Sequence, residues 1–376
     1  MVIFKTCGSG SWGGLEMDAL KIARGLMNAG NEVYFLCAAN STLEKEATEQ
    51  GVPVFPCFDS DIHFIKVVYR IKKLLDELKP EIVHTHLSHD LWTLVPALRF
   101  SGSDSRLILT KSMGSSVKKK DPFHRLLYSR VDRILALTNY VRMSVERTCP
   151  IGSDKVIVFP NAIPIKEFQP EKYNRNQIRQ SFGIGPDEIV IGLTGRFTPM
   201  KGHREFLGAA KLLINRVKYP LKFLVVGGAS EGEDEFRKEI LKLTADSGLT
   251  EYVIFAGFRK DVKEMMAVMD ILAFPSHKEA FGNVLIEAMA MSLSVVAADA
   301  GGVPDTVVNG ITGILVPPKD ADALADGLKK LIDNPDLRKK MGAQGRERVE
   351  QNYDFSKFIE RLLENYRSIK TINQVN

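Results

Sequence analysis

One stretch, SHKEAFGNVLIEAMAMSLSVVAADAGGVPD at Ser276 to Asp305, leaves few choices of fold. Ahead of it VMDILAFP, Val268 to Pro275, is an apolar run of strand length closed by proline. Behind the loop come an apolar-periodic stretch of helix length and a buried-strand run, Ser294 to Ala298. Strand, loop, helix, strand is the grammar of a parallel sheet with helices packed on it. The loop brings Glu279, Ala280, Phe281, Gly282, Asn283 and Val284 to the start of the helix, where N–H groups without intrahelical partners and the positive end of the helix dipole favour an anion. Gly282 lets a ligand come close to the backbone. Glu287 lies eight residues beyond Glu279, a little over two helical turns, so both carboxylates address one elongated ligand if Glu279 sits in the loop above the helix. Two glutamates so spaced are otherwise an ordinary solvated face. Here Glu287 is embedded in Leu285, Ile286, Ala288 and Met289, and a charge in such surroundings needs a partner. A phosphate held here needs positive charge, which Arg196 and Lys201 supply from Gly195 to Gly202, a glycine-flanked loop after the strand Ile189 to Thr194.

A chain of 376 residues with 44% hydrophobic and 26% charged residues implies two soluble globular domains with two cores. No run approaches about 18 consecutive apolar residues and no signal peptide precedes Val2, so a cytoplasmic location is expected. The net charge of +5 is too small to imply nucleic acid; it is compatible with a phosphate-bearing ligand and an anionic acceptor or membrane surface. Cys7, Cys37, Cys57 and Cys149 show no Cys-x-x-Cys spacing and read as reduced, mostly buried thiols.

The first half repeats the same grammar. A strand, Val2 to Thr6, leads into Gly8-Ser9-Gly10-Ser11-Trp12-Gly13, a literal G-x-G-x-x-G before a helix running from Leu15 to Ala29. A dinucleotide site would want an acidic residue at the end of the next strand to hold the ribose, and that strand, Glu32 to Asn40, ends without one. Further strands are expected at Val52 to Pro56, Ile82 to Thr85, Leu107 to Thr110, Arg133 to Leu137 and Val156 to Phe159, making a doubly wound α/β domain. His84, His86 and His89 form His-x-His-x-x-His at a strand end, but no carboxylate or cysteine cluster accompanies them, and an acceptor-side or structural role is expected rather than a metal. Lys118, Lys119, Lys120, Arg125, Arg130 and Arg133 interleave with Phe123, Leu126, Leu127 and Tyr128. This basic amphipathic segment reads either as a membrane-surface element or as an ordinary surface helix. Prolines at 160, 164 and 170 stiffen a junction. The second half offers strands at Ile189 to Thr194, Lys222 to Val226, Val253 to Ala256, Ile271 to Phe274 and Ser294 to Ala298, then helices from Lys319 onward.

The wording E-A-F-G-N-V-L-I-E-A-M-A, followed by A-G-G-V-P-D and N-G-I-T-G-I-L-V-P-P, resembles the retaining, nucleotide-sugar-dependent glycosyltransferases of group 1 type with the GT-B fold, over nearly the whole chain. That resemblance implies two Rossmann-like doubly wound domains facing across a cleft. Residues 1–165, with a closing helix at 355–376 that crosses back, would form the acceptor-side domain, and residues 166–354 the nucleotide-sugar domain. It implies catalytic roles for Arg196 and Lys201 on the donor diphosphate and for Glu279 on the sugar, with Glu287 on the ribose. Gly195, Gly228, Phe258 and the loop 280–284 would line the nucleotide pocket, and the glycine loop with Gly13 and Gly14 would let donor phosphates and acceptor approach. Glu16, His86 and Ser112 become acceptor-side candidates; Ser112 stands where many relatives place a histidine beside the donor sugar, keeping the backbone carbonyl and losing the imidazole. The implied activity moves a sugar, UDP-linked in the commonest case, to a hydroxyl acceptor in cell-envelope polysaccharide, lipopolysaccharide or glycolipid synthesis, with no cofactor and no bound metal. Peripheral contact with the inner face of the cell membrane is compatible with this. A nucleotide-sugar epimerase or a phosphorylase on the same fold, or a binding protein that has lost the chemistry, are the alternatives.

Overall fold

The computed structural model describes residues 1–58, 63–115, 117–229 and 232–371. They form two compact units, one comprising residues 1–160 and 356–371, the other Asn161–Phe355. Each is a parallel sheet with helices on it.

The first sheet has seven strands: β1 (Val2–Cys7), β2 (Glu32–Ala38), β3 (Val54–Phe58), β4 (Ile82–Thr85), β5 (Arg106–Lys111), β6 (Arg133–Ala136) and β7 (Val156–Val158), in the order β3-β2-β1-β4-β5-β6-β7. The order reverses between β1 and β4, where a doubly wound sheet opens its ligand crevice. Strand β3 starts two residues later than Val52 because the Val52 N–H closes the preceding helix on Ala47 O. All four cysteines are buried and free, and burial pushes the thiols of Cys7, Cys37 and Cys57 up to about 12.

The central strands are covered on both faces and are mostly apolar, as a parallel sheet requires, but carry two ionisable residues side by side. Lys5 on β1 is in register with His84 on β4, and both are buried. Lys5 Nζ lies 2.9 Å from His84 Nδ1, Tyr366 Oη lies 2.6 Å from the same nitrogen, and His84 Nε2 is 2.7 Å from Thr110 Oγ1. All three contacts are within hydrogen-bond distance, so both ring nitrogens of His84 are engaged. Tyr366 belongs to the helix Phe355–Thr371, whose Phe358 ring stands edge-on to Phe159 at 5.0 Å. This polar cluster thus ties the last helix to the first sheet. Burial holds the Lys5 amine well below its usual range.

The second sheet has six strands: β8 (Ile189–Thr194), β9 (Leu221–Val226), β10 (Val253–Gly257), β11 (Ile271–Phe274), β12 (Ser294–Ala298) and β13 (Gly313–Val316), in the order β10-β9-β8-β11-β12-β13. Here the order reverses between β8 and β11. The run from Val268 is shorter as a strand than its apolarity suggests. Val268 ends the helix Val262–Val268, and β11 begins after Asp270, whose carboxylate accepts from Val190 N–H and is paired with Arg175 and Arg179. Strand β13, which the sequence pattern does not announce, has four residues and starts at Gly313, where a Cβ would lie 2.6 Å from Val295 O.

Lys5 supplies a stability test with a definite sign. Below the ordinary lysine pKa the unfolded chain takes up a proton that the folded chain does not, so stability falls as pH falls, by about 1.4 kcal/mol per unit until the folded amine itself titrates. Denaturant unfolding at pH 7 should find Lys5→Met more stable than wild type, with the difference narrowing towards pH 10. A variant less stable at pH 7 would mean that the amine is charged or indispensable to the cluster.

Candidate active site

In the second unit the loops that follow β8, β9, β10, β11 and β12 emerge at the carboxyl edge of the sheet, and they are knitted together by backbone. Gly195 N–H donates to Val226 O at 2.9 Å, Phe197 N–H to Gly228 O at 3.1 Å and Gly227 N–H to Gly257 O at 2.9 Å. Gly227 (φ +154°) makes this possible, since a Cβ there would sit 1.9 Å from Gly195 O. Phe258, which follows β10, is 76% exposed, and its Cβ lies 3.1 Å from where a Gly228 Cβ would be. Glycine at 228 therefore brings an exposed aromatic ring beside the loop.

The two loops at the reversal of strand order meet most closely. His277 N–H donates to Met200 O at 2.8 Å, and Gly202 (φ +75°) presses so near the end of β11 that a Cβ would lie 2.2 Å from Pro275 O. A third segment supports them: Gly302 N–H donates to Glu279 O at 2.8 Å, and a Cβ on Gly301 (φ +64°) would be 2.0 Å from that oxygen. Glu279 is therefore held by its backbone while its side chain remains free to choose partners.

Its partner is Lys201, with Nζ 2.7 Å from Glu279 Oε2. The lysine stem lies over Gly195 and its ammonium 5.5 Å from the Phe274 ring centroid. Both side chains are partly exposed. Arg196 is paired with Glu233 at 3.2 Å and keeps most of its surface in solvent. The sequence pattern singles out both cations and Glu279, but not that each cation faces a carboxylate; Glu233, far along the chain, carries no signal of its own. An incoming polyanion can take Lys201 over from Glu279, leaving that carboxylate to accept from neutral hydroxyls.

The helix Asn283–Ala290 begins after Gly282 (φ +83°) with no side-chain cap, and Leu285 N–H donates back to Gly282 O at 2.9 Å. Glu287 is only partly exposed, while Leu285, Ile286, Ala288 and Met289 are buried. Two side chains of this loop are engaged within the unit. The Phe281 ring is buried, edge-on to Tyr353 at 5.8 Å, so only its backbone can serve a ligand. Asn283 accepts from Asn161 Nδ2 at 3.2 Å. Ala280 N–H lies 3.2 Å from Glu279 Oε1, and Val284 occupies the first helical turn.

In the first unit, Gly13 precedes and Gly14 begins the helix Gly14–Asn28; a Cβ at Gly14 would meet nothing within 4 Å, so internal packing does not explain this glycine. Glu16, in the first turn, is buried. Ser112 follows β5 and is partly buried. His86 is not presented as an acceptor-side residue: its ring is 4% exposed and stacked on His84 at 5.0 Å, and burial holds it neutral. His84 has both nitrogens engaged within the polar cluster, and His89 is exposed apart from it. Of the basic segment, Arg130 pairs with Asp132 and donates to Ser103 O and Ser105 O, and Arg133 donates to Ser368 Oγ, so those two are structural. Lys118 and Lys120 are exposed, as is Arg125, beside Val117, Phe123 and Leu126, while Leu127 and Tyr128 pack inward from the short helix Pro122–Ser129.

Two Rossmann-like α/β units, each with its loops gathered at a reversal of strand order, define a two-domain GT-B fold, and comparison with known proteins agrees. Residues 174–348 match the family described as glycosyl transferases group 1, and residues 12–167 match glycosyltransferase family 4. The chain is 27% identical over 390 residues to a D-inositol 3-phosphate glycosyltransferase of Rhodococcus erythropolis, covering 96% of this chain and 87% of that one. It is 32% identical over 209 residues to the capsular polysaccharide biosynthesis glycosyltransferase CapM of Staphylococcus aureus, covering 55% and 53%. Anabaena HepE, solved in complex with UDP, superposes with a TM-score of 0.85 at 21% identity over 98% of this chain and 99% of that one, a likeness of fold. The chain belongs to the group 1 glycosyltransferases.

Proposed function

We propose that the chain transfers a sugar from a UDP-linked donor to a hydroxyl of a saccharide or lipid-linked saccharide, with retention at the anomeric carbon, in the building of a cell-envelope polysaccharide, lipopolysaccharide or glycolipid. The observation that carries this is the Lys201–Glu279 pair at the reversal of strand order, 2.7 Å apart, on the two loops that carry Arg196 and lead into the helix Asn283–Ala290. The donor diphosphate takes the ammonium of Lys201 and the guanidinium of Arg196 together with the N–H groups of the loop 280–284. These donors stabilise the charge that grows on the leaving phosphate as the sugar becomes oxocarbenium-like. Glu279, released from Lys201, accepts from sugar hydroxyls; Glu287 accepts from the ribose; Phe258 and Gly228 border the base. The acceptor oxygen bonds to the anomeric carbon, the bond from that carbon to phosphate breaks, and the departing phosphate oxygen takes the acceptor proton. Two protein cations carry the charge, so the reaction runs without metal or cofactor. HepE's solved complexes with UDP and UDP-glucose support the choice of donor, and CapM's role supports an envelope product.

The acceptor side belongs to the first unit, with Gly13, Gly14, Glu16 and Ser112 as its candidates. The exposed Phe123, Leu126 and Val117 among Lys118, Lys120 and Arg125 suit contact with an anionic membrane from the cytoplasmic side, a peripheral one, since no described helix is long and apolar enough to cross a bilayer.

Turnover of UDP-sugars by Arg196→Ala and Lys201→Ala should fall at least tenfold each, the loss of charge-assisted hydrogen bonds of roughly 1.5–3 kcal/mol, with unfolding transitions unchanged; EDTA should leave the wild-type rate as it was. Wild-type rates and donor affinity in both variants would remove them from the site. Cosedimentation with anionic vesicles should be lost when Lys118, Lys119 and Lys120 are changed together to glutamate, at about 1 kcal/mol per lysine, while donor hydrolysis in solution persists. If wild type itself ignores such vesicles, the segment is a solvated face and the acceptor is soluble.

A further inference from the structure

Asp90 stands where the first sheet reverses its strand order, just after β4, at the start of the helix Leu91–Ser101. An aspartate at that position ordinarily caps its own helix by accepting from the first-turn N–H groups. This one makes no such bond. Its side chain turns the other way, 2% exposed, and Oδ2 accepts from Gly8 N–H at 3.1 Å, Thr6 Oγ1 at 3.3 Å and Thr85 Oγ1 at 3.1 Å. A single oxygen thus gathers the ends of β1 and β4 and the first residue of the glycine loop. Gly8 is fitted to this contact, since a Cβ there would be 2.7 Å from Asp90 Oδ1 and 2.9 Å from the Phe58 ring. Beyond Gly8 the loop is held less: a Cβ on Gly10 or Gly14 would touch nothing within 4 Å.

We propose that Asp90 is a positioning residue: its carboxylate anchors the glycine loop 8–14 at the root, and through that loop it sets how tightly the chain holds the ligand the loop faces. The ligand-facing role of Gly13 and Gly14 rests on the function proposed above; the anchoring does not. Burial without a cationic partner raises the Asp90 carboxyl to about 7, against the pull of its three donors. The ionisable groups on the packed elements are Lys5 and Cys7 of β1, the amine held down and the thiol pushed up by burial, and Glu16 of Gly14–Asn28, whose charge reaches Cys7; His86 and His89 flank Asp90 on its own connection. The sign follows. Above pH 7 the carboxylate makes charge-assisted bonds and the loop is tight; as pH falls through 7 Oδ2 becomes a neutral acceptor and the loop loosens.

Asp90→Asn keeps the shape and an acceptor oxygen but loses the charge, so it should behave at every pH as wild type behaves in acid. Amide hydrogen exchange of the peptide covering residues 8–14, corrected for intrinsic rates, should quicken about fivefold in wild type between pH 8.5 and pH 5.5. In Asp90→Asn it should be fast and flat, with the rest of the chain exchanging as before. With UDP-sugar as substrate, KM should rise toward acid in wild type and stay at the acid value in Asp90→Asn, with kcat little changed in either. Loop exchange in wild type that does not depend on pH, or an Asp90→Asn loop as slow as wild type at pH 8.5, would overturn the proposal. The exchange measurement decides this even if no nucleotide sugar is turned over, and if the variant does not fold the wild-type titration decides it alone.

Discussion

Backbone approach between neighbouring loops is the constraint on which the second unit's site depends. The loops after β8 and β11 can share one anion only if their main chains nearly touch. Glycine makes that possible at Gly202 against Pro275 O, at Gly227 against Gly195 O and at Gly301 against Glu279 O, each closer than a Cβ could tolerate. With the backbone fixed in this way, the charged side chains need not be buried to be placed. Lys201, Glu279 and Arg196 keep solvent contact, which limits the cost of holding charges together before a ligand arrives. The pairing of Lys201 with Glu279 joins two partly exposed side chains across these loops.

The first unit solves a different problem with buried polar groups. Lys5, His84, Tyr366 and Thr110 form a closed cluster joining the last helix to the first sheet, and Asp90 joins β1, β4 and the glycine loop. Both lie on the central strands, where an apolar core would pack as well and fix less. Such groups specify which residues must meet, at a cost in desolvation that shows in the lowered pKa of the Lys5 amine.

How much of this was legible depended on whether the information was local. Strands β4, β8, β11 and β12 stand where apolar runs bounded by turn residues put them; Arg196 and Lys201 were singled out by flanking glycines and Glu279 by its place in the loop before a helix. Strand β13 was hidden because four residues opening on glycine give no period to read. The burial of Phe281 on Tyr353, the Asn161 contact to Asn283, the withdrawal of His86 behind His84 and the partnership of Arg196 with Glu233 all join distant parts of the chain, which no local spacing records. Asp90 looked like a helix cap, and only the direction of its side chain shows otherwise.

The central claim is that the loops after β8 and β11 hold the donor diphosphate by taking Lys201 from Glu279. A crystal structure of the chain soaked with UDP tests it most directly. The account predicts phosphate oxygens within hydrogen-bond reach of Lys201 Nζ, Arg196 and the N–H groups of the loop 280–284, with Lys201 and Glu279 no longer paired. UDP bound elsewhere, or bound there with the 2.7 Å pair intact, would contradict it.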